Sequence, residues 1–124
     1  MKNLLITGGA GYVGSHTVLF FLKQGYKIFI LDSYVNSFSK SIKSIESICN
    51  REGILIDNSL YSFVGDIRNE SDLRKVFSFA KSIGLEIDGV IHFAGLKSVS
   101  DSVNDPLSYW DVNVNGTLNL LKIM

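Results

Sequence analysis

Neither sign of charge is in excess in this chain: 12 Lys and Arg offset 12 Asp and Glu. That balance argues against blanket affinity for nucleic acid or for an anionic membrane. Cysteine is nearly absent. Cys49 stands alone, which excludes an internal disulfide and points to a reducing compartment, with the cytoplasm expected. A single proline beside 11 glycines excludes collagen-like and proline-rich architectures. The longest apolar run, Val18 to Leu22, is far short of the roughly 20 residues of a membrane span. The opening apolar stretch is also too short for a secretory signal. No 20–50-residue repeat or low-complexity tract is visible, so a solenoid is not indicated. No metal site is expected. What remains is a 124-residue chain, 46% hydrophobic and 11% aromatic, with room for one globular domain. A chain of this size buries roughly 65% of its unfolded surface, enough for a real core.

Short apolar runs alternate with helix-period segments. Residues 4–6, 28–31, 61–64 and 90–93 read as strands. Three of these runs are almost continuously hydrophobic, as expected of parallel strands covered on both faces. Between them, Gly14, Val18, Phe21 and Leu22 share one helical face that Gly25 terminates. Ile42, Ile45, Ile48 and Cys49 share a second. Leu73, Val76, Phe77 and Ala80 share a third, with Asn69 as its cap and Asp72 in its first turn. A fourth helix opens near Pro106 and carries Leu107, Trp110, Val114, Leu118 and Leu121 on one side, read as core. Trp110 and Tyr109 are read as core in preference to interface. The run 53–56 reads as loop or helix end rather than strand. The order βαβαβαβα predicts a Rossmann-like, doubly wound parallel sheet in the α/β class, with strand order 3-2-1-4. The fourth strand would then lie at an apolar edge, and the last helix is still in rhythm at Met124. Residues 1–124 are therefore expected to be an incomplete dinucleotide-binding domain, without its second half or a substrate domain. A short, fraying final helix is the alternative.

The chemistry concentrates where the strands end. Thr7-Gly8-Gly9-Ala10-Gly11-Tyr12-Val13-Gly14 leaves the first strand and opens the first helix. In that context Gly8 permits the tight turn, Gly11 lets the backbone approach a pyrophosphate, and Gly14 lets the helix pack close to the sheet. The helix N-terminus then presents free N–H groups and the positive end of its dipole. A plain turn with glycines for geometry only is the competing reading. Asp32 ends the second strand, 21 residues beyond Gly11, where a carboxylate accepts from the ribose hydroxyls of an adenosine. It would repel a 2′-phosphate, so NAD is favoured over NADP. Asp66 and Ile67 follow the third strand, beside the adenine in such a fold; Asp66 as a starter of the next helix is the alternative. Gly95 and Lys97 follow the fourth strand, near ribose and phosphate. His92 lies within the strand pattern and reads as a core histidine rather than a base. His16 reads as structural.

These residues resemble UDP-glucose 4-epimerases of the extended short-chain dehydrogenase/reductase superfamily. The resemblance rests on Thr7 to Thr17, on Asp32 with Asn36-Ser37, and on Gly65-Asp66-Ile67-Arg68. It rests most on His92-Phe93-Ala94-Gly95-Leu96-Lys97-Ser98-Val99, with Asn113-Val114-Asn115-Gly116-Thr117 in support. It runs the length of the chain but covers only about the first third of a typical family member. It implies tightly held NAD, which oxidises C4 of a UDP-hexose and returns hydride to the opposite face, interconverting UDP-glucose and UDP-galactose. It further implies that Gly8, Gly11, Tyr12, Val13 and Gly14 hold the pyrophosphate, and that Asp32, Asn36 and Ser37 contact the adenosine ribose and its surroundings. Asp66 and Ile67 would read the adenine. Phe93, Ala94, Gly95 and Lys97 would line the central and nicotinamide-side part. A homodimer is common in the family.

Departures matter as well. Ser33 stands where the family commonly has Asn, and Val112 where some members have Asn. The family's catalytic Tyr-x-x-x-Lys is missing: the residues four beyond Tyr12, Tyr26, Tyr34, Tyr61 and Tyr109 are His16, Ile30, Phe38, Gly65 and Asn113. No catalytic residue is assigned within the chain. The isolated 124 residues are expected to bind NAD weakly, to associate or be partly unfolded, and to lack epimerase activity. Another nucleotide-sugar dehydratase or decarboxylase, or a non-catalytic NAD-binding module, are the competing readings.

Overall fold

A computed structural model describes every residue except Met1, Asn36 and Phe38. Four strands, β1 (Asn3–Thr7), β2 (Lys27–Asp32), β3 (Leu60–Val64) and β4 (Gly89–His92), lie parallel in the order β3-β2-β1-β4. The register pairs Leu5 with Phe29 and Val90, and Ile6 with Ile30 and Ile91. Because side chains alternate across a strand, β1 and β2 feed two separate cores. On one face Ile6, Ile28 and Ile30 pack against α1 (Tyr12–Lys23) and α2 (Lys40–Arg51) through Val18, Leu22, Ile42, Ile45 and Cys49. On the other face Leu5, Phe29 and Leu31 meet Leu73, Val76 and Ala80 of α3 (Glu70–Ser82). The middles of the central strands, residues 4–6 and 28–31, are thus apolar because both faces are covered, as their composition predicts. Phe29, fully buried, stacks on Tyr61 with ring centroids 4.9 Å apart, and Phe79 closes edge-on over Tyr61 and Phe63.

The caps agree with the sequence. Asn69 Oδ1 accepts from the Ser71 N–H at the start of α3, with Glu70 and Asp72 in the first turn. Gly25, at φ +80°, follows α1. Residues 53–56 form no strand.

The fourth helical segment departs from expectation. A short helix absent from the sequence reading, α4 (Val99–Asn104), comes first, and the helix expected from Pro106 is broken into α5 (Pro106–Trp110), a π-helical turn (Asp111–Asn115) and α6 (Gly116–Ile123). The face predicted as core is largely outside: Leu107, Trp110, Leu118 and Leu121 are exposed, with Trp110 at 62% and Leu107 at 81%. The buried side of α6 is Gly116 and Leu120 instead, joined by Val112 and Ile123. Two physical causes account for this. The π turn adds a residue and rotates the helix relative to a regular 3.6 repeat. The small Gly116 then sits directly on Ile67, whose Cδ1 would lie 2.6 Å from any Cβ placed there. Tyr109 is half-buried, and its hydroxyl oxygen accepts from the Ser98 N–H at 3.0 Å.

His92 ties this segment to the sheet. Its Nε2 lies 3.0 Å from Thr117 Oγ1, and its Nδ1 bonds Thr7 Oγ1. The Thr117 hydroxyl proton is committed to the Asn113 carbonyl, so Thr117 accepts from Nε2–H. Nδ1 then accepts from the buried Thr7 hydroxyl, which in turn accepts from the Ala94 N–H. Every donor in this chain of bonds has one acceptor only while the imidazole is neutral. His92 is thus half-buried rather than fully in the core, with both ring nitrogens bonded.

Truncating Phe29→Ala should lower stability by about 3–5 kcal/mol in urea unfolding; a loss below about 1 kcal/mol would contradict its place in the core. Burial pushes the His92 pKa below its ordinary value. The unfolded chain therefore takes up that proton first as pH falls. Stability should be full above about pH 6.5 and decline as pH drops from there through the folded-state pKa. His92→Gln should flatten that decline. His16 is present in both proteins, so the difference between their urea midpoints from pH 8 to pH 5 isolates His92. Parallel curves would contradict the neutral imidazole.

Candidate functional site

The turn between β1 and α1 is built by two glycines in contact. Gly8 has φ +68°, a conformation that side chains resist, and it lies against the end of β4: a Cβ there would fall 2.7 Å from the Ala94 nitrogen. Gly14 lies under the Gly8 carbonyl, where a Cβ would come within 2.1 Å of that oxygen. Gly11 is different. A methyl group placed on it would meet the Gly8 oxygen at 3.3 Å, so packing within the chain restricts it only mildly.

These contacts leave α1 with an open N-terminus. No side chain caps it and no acidic residue occupies its first turn. The N–H groups of Tyr12, Val13 and Gly14 have no hydrogen-bond partner among the described residues. Unpaired helix donors with an unopposed dipole form an anion seat.

A cleft of about 300 Å³ opens where β1, β2, β3 and β4 end. Gly8, Gly11, Asp32 and Ser37 line one side; Asp66 and Ile67 line a second; Phe93, Ala94, Gly95 and Lys97 line a third. Residues from four separate strand ends are thus brought together at one edge of the sheet, the place where open parallel sheets bind ligands. Gly14 is buried beneath the turn rather than in the cleft. The Tyr12 and Val13 side chains are exposed outside it, in a shallow depression with His16, Thr17 and Phe20. What these two residues offer the site is backbone. Asn36 lies outside the described residues.

Asp32 is 7% exposed and already engaged. Its Oδ2 accepts from the Ala10 N–H at 3.0 Å, while its Oδ1 accepts from the Tyr34 N–H and the Ser37 hydroxyl, both at 2.8 Å. One carboxylate thus fastens the glycine turn to the end of β2. With roughly four acceptor positions, it keeps about one for a ligand, and more if the Ser37 hydroxyl turns away. Tyr34 adopts φ +60°, a left-handed backbone at the rim of the site. Burial, then the Asp32 charge, raises its phenol pKa.

Asp66 is held by Arg68. The guanidinium Nη2 sits 2.7 Å from Oδ2, and Nε reaches both carboxylate oxygens. This hydrogen bonding holds the Asp66 pKa below the usual carboxylate range, so it is ionised wherever the protein is folded near neutral pH. Asp66 does not start α3 with its side chain; Asp72 does more there, accepting the Asp66 N–H at 2.9 Å.

Several lining residues carry no site role in the sequence reading: Leu31, Val35 and Ser108, and Gly65, Arg68 and Leu96, which there serve only as parts of motifs. Ser33 and Val112, the two departures from the family pattern, also line the cleft. Asn113 matters without lining it. Its amide makes a paired bridge to the Leu96 backbone, Leu96 N–H to Oδ1 at 2.8 Å and Nδ2 to the Leu96 carbonyl at 2.9 Å. Helical periodicity treats such an Asn as surface; in the structure it lies in the π turn and meets the loop.

The chain matches the family model described as GDP-mannose 4,6 dehydratase over residues 5–124. It is 45% identical over 122 residues to the UDP-glucose 4-epimerase of Yersinia enterocolitica, covering 98% of this chain and 33% of that protein. Among solved structures, UDP-glucose 4-epimerase from Bifidobacterium longum, in complex with NAD⁺ and UDP, superposes with a TM-score of 0.85 at 37% identity, over 99% of this chain and 33% of that one. UDP-glucose-4-epimerase from Stenotrophomonas maltophila, with bound NAD and formylated UDP-arabinopyranose, gives 0.83 at 35% identity, over 100% and 33%. The chain thus spans about a third of the length of each of these relatives. A Rossmann-like parallel sheet, a glycine turn seated on Gly14 and a match over nearly all of its residues establish that the chain belongs to the family described as GDP-mannose 4,6 dehydratase, and that within it the chain is similar to UDP-glucose 4-epimerases.

Proposed function

We propose that the cleft binds NAD and that the chain serves as the NAD-binding part of a UDP-glucose 4-epimerase, in the interconversion of UDP-glucose and UDP-galactose. The observation that carries this reading is the uncapped N-terminus of α1, which the Gly8–Gly14 contact holds beside a cleft walled by Asp32. The unpaired N–H groups of Tyr12, Val13 and Gly14 suit a pyrophosphate, and Gly8 and Gly11 leave its approach clear. Asp32 and Ser37 suit ribose hydroxyls, with Asn36 adjacent in sequence. Asp66 and Ile67 offer an acceptor and a donor to the adenine. Phe93, Ala94, Gly95 and Lys97 flank the remaining length toward the nicotinamide. The residues therefore fit NAD. When bound, that cofactor supplies the oxidation and re-reduction of a sugar carbon; the chain's own residues bind and orient it.

UDP-glucose enters this proposal through the names of the relatives; UDP-galactose and a place in galactose metabolism follow from inverting C4 of that sugar, and the cytoplasm from the single cysteine. No helix is long and apolar enough to cross a membrane among the described residues. The family model's own description favours a second reading, a nucleotide-sugar dehydratase. Product analysis separates the two, since a dehydratase releases a 4-keto-6-deoxy sugar and an epimerase does not.

Calorimetric titration tests the binding claim. NAD should bind, NADP more weakly, and Asp32→Ala should weaken NAD about tenfold or more, as loss of charge-assisted hydrogen bonds implies. Unchanged affinity in Asp32→Ala would remove that residue from the site. The sequence holds no Tyr-x-x-x-Lys, so purified 124-residue chain should not turn over UDP-galactose. Robust turnover by a preparation of verified mass would overturn that expectation.

A further inference from the structure

We infer that Asn119 is a positioning residue for the loop that reads the adenine, and that it sets the selectivity of that loop for adenine over 6-oxo purines. The inference rests on the NAD reading above. Asn119 is half-buried on α6, more than 50 positions from the loop it serves. Its Nδ2 donates to two successive backbone carbonyls, Ile67 at 3.1 Å and Arg68 at 3.0 Å. One amide group thus spends both its hydrogens on a single turn.

The two peptide units of this turn are held unequally. The unit joining Ile67 to Arg68 is pinned at both ends: Asn119 holds its carbonyl, and its N–H donates to Asp66 Oδ1 at 2.9 Å. The unit joining Asp66 to Ile67 is pinned at one end only. Its carbonyl accepts from the Asn69 N–H at 2.9 Å, whereas the Ile67 N–H has no partner among the described residues. Arg68 meanwhile steadies the Asp66 carboxylate and reaches Asp111 at 3.8 Å. The turn therefore holds one free N–H donor next to one ionised acceptor, both in residues that line the cleft.

A donor beside an acceptor matches the edge of adenine, which offers a ring-nitrogen acceptor beside an amino donor. It mismatches hypoxanthine, whose edge has the reverse order. An unpaired buried donor or acceptor facing the wrong group is penalised. If Asn119 loses its donors, the 67–68 peptide is free to rotate, the Arg68 N–H no longer fixes Asp66, and the donor–acceptor pair loses its geometry. Gly116 keeps α6 against Ile67 in such a variant, so the helix itself need not move.

The test compares NAD with its hypoxanthine analogue, nicotinamide hypoxanthine dinucleotide, on the purified protein and on Asn119→Ala, Asn119→Asp and Asn119→Gln. The unchanged protein should prefer NAD. Asn119→Ala and Asn119→Asp should weaken NAD about tenfold while moving the analogue less than about twofold, collapsing the ratio. Asn119→Gln keeps both donors and should restore most of it. A structural role alone would weaken both dinucleotides alike and leave the ratio intact, which would overturn the inference. Should Asn119→Ala fail to fold, the ratio in Asn119→Asp and Asn119→Gln decides. Failure of the unchanged protein to bind NAD overturns the NAD reading, and this inference with it; binding with an unaltered ratio overturns this inference alone.

Discussion

The contact between Gly14 and the Gly8 carbonyl is the constraint on which the rest of the site depends. Two backbone segments meet there with no room for a methyl group. That closeness brings the first turn of α1 onto the ends of the strands, and it leaves the Tyr12, Val13 and Gly14 amides pointing out of a helix that nothing caps. Asp32 then fixes the same turn from the β2 side through the Ala10 N–H. The site's positive end and its carboxylate are therefore set by one local arrangement rather than by separate loops.

The far rims are held differently. The segment from Asp111 to Asn119 touches both. Asn113 bridges the Leu96 backbone, Thr117 meets His92 at the end of β4, and Asn119 holds the Ile67 and Arg68 carbonyls. Within this segment the Thr117 hydroxyl donates to the Asn113 carbonyl in the π turn, and Gly116 faces Ile67. A single helical segment thereby braces two loops that lie about 30 residues apart in sequence. These two roles, an open helix end and a braced pair of rims, divide the cleft between backbone donors and side-chain acceptors.

Much of this is legible in the sequence because it is local. The four apolar runs, the glycine turn and the Asn69 cap follow from composition and spacing within a few residues, and the order of the strands from the βα alternation along the chain. Asp32 is also legible, since strand end and glycine turn stand at a fixed distance. What is not legible is set by tertiary packing. Leu107, Trp110, Leu118 and Leu121 carry a convincing helical stripe, yet the π turn and the small Gly116 choose another face. Asn113 and Asn119 look like surface polar residues on a helix; their partners are backbone groups of distant loops, which no pattern of side chains encodes. Sequence spacing presents Asp32 as a ligand acceptor or a solvated strand-end carboxylate; its burial and three internal bonds emerge only when turn and strand are placed together.

If the strand ends and the open helix form one dinucleotide site, backbone amide NMR during titration with NAD shows it most directly. Large shifts are expected at Tyr12, Val13 and Gly14, at Ile67 and at Gly95, with the strand interiors little changed. Shifts confined to the outer face of α1, around His16 and Phe20, or no saturable shifts at the glycine turn, would contradict a single dinucleotide site.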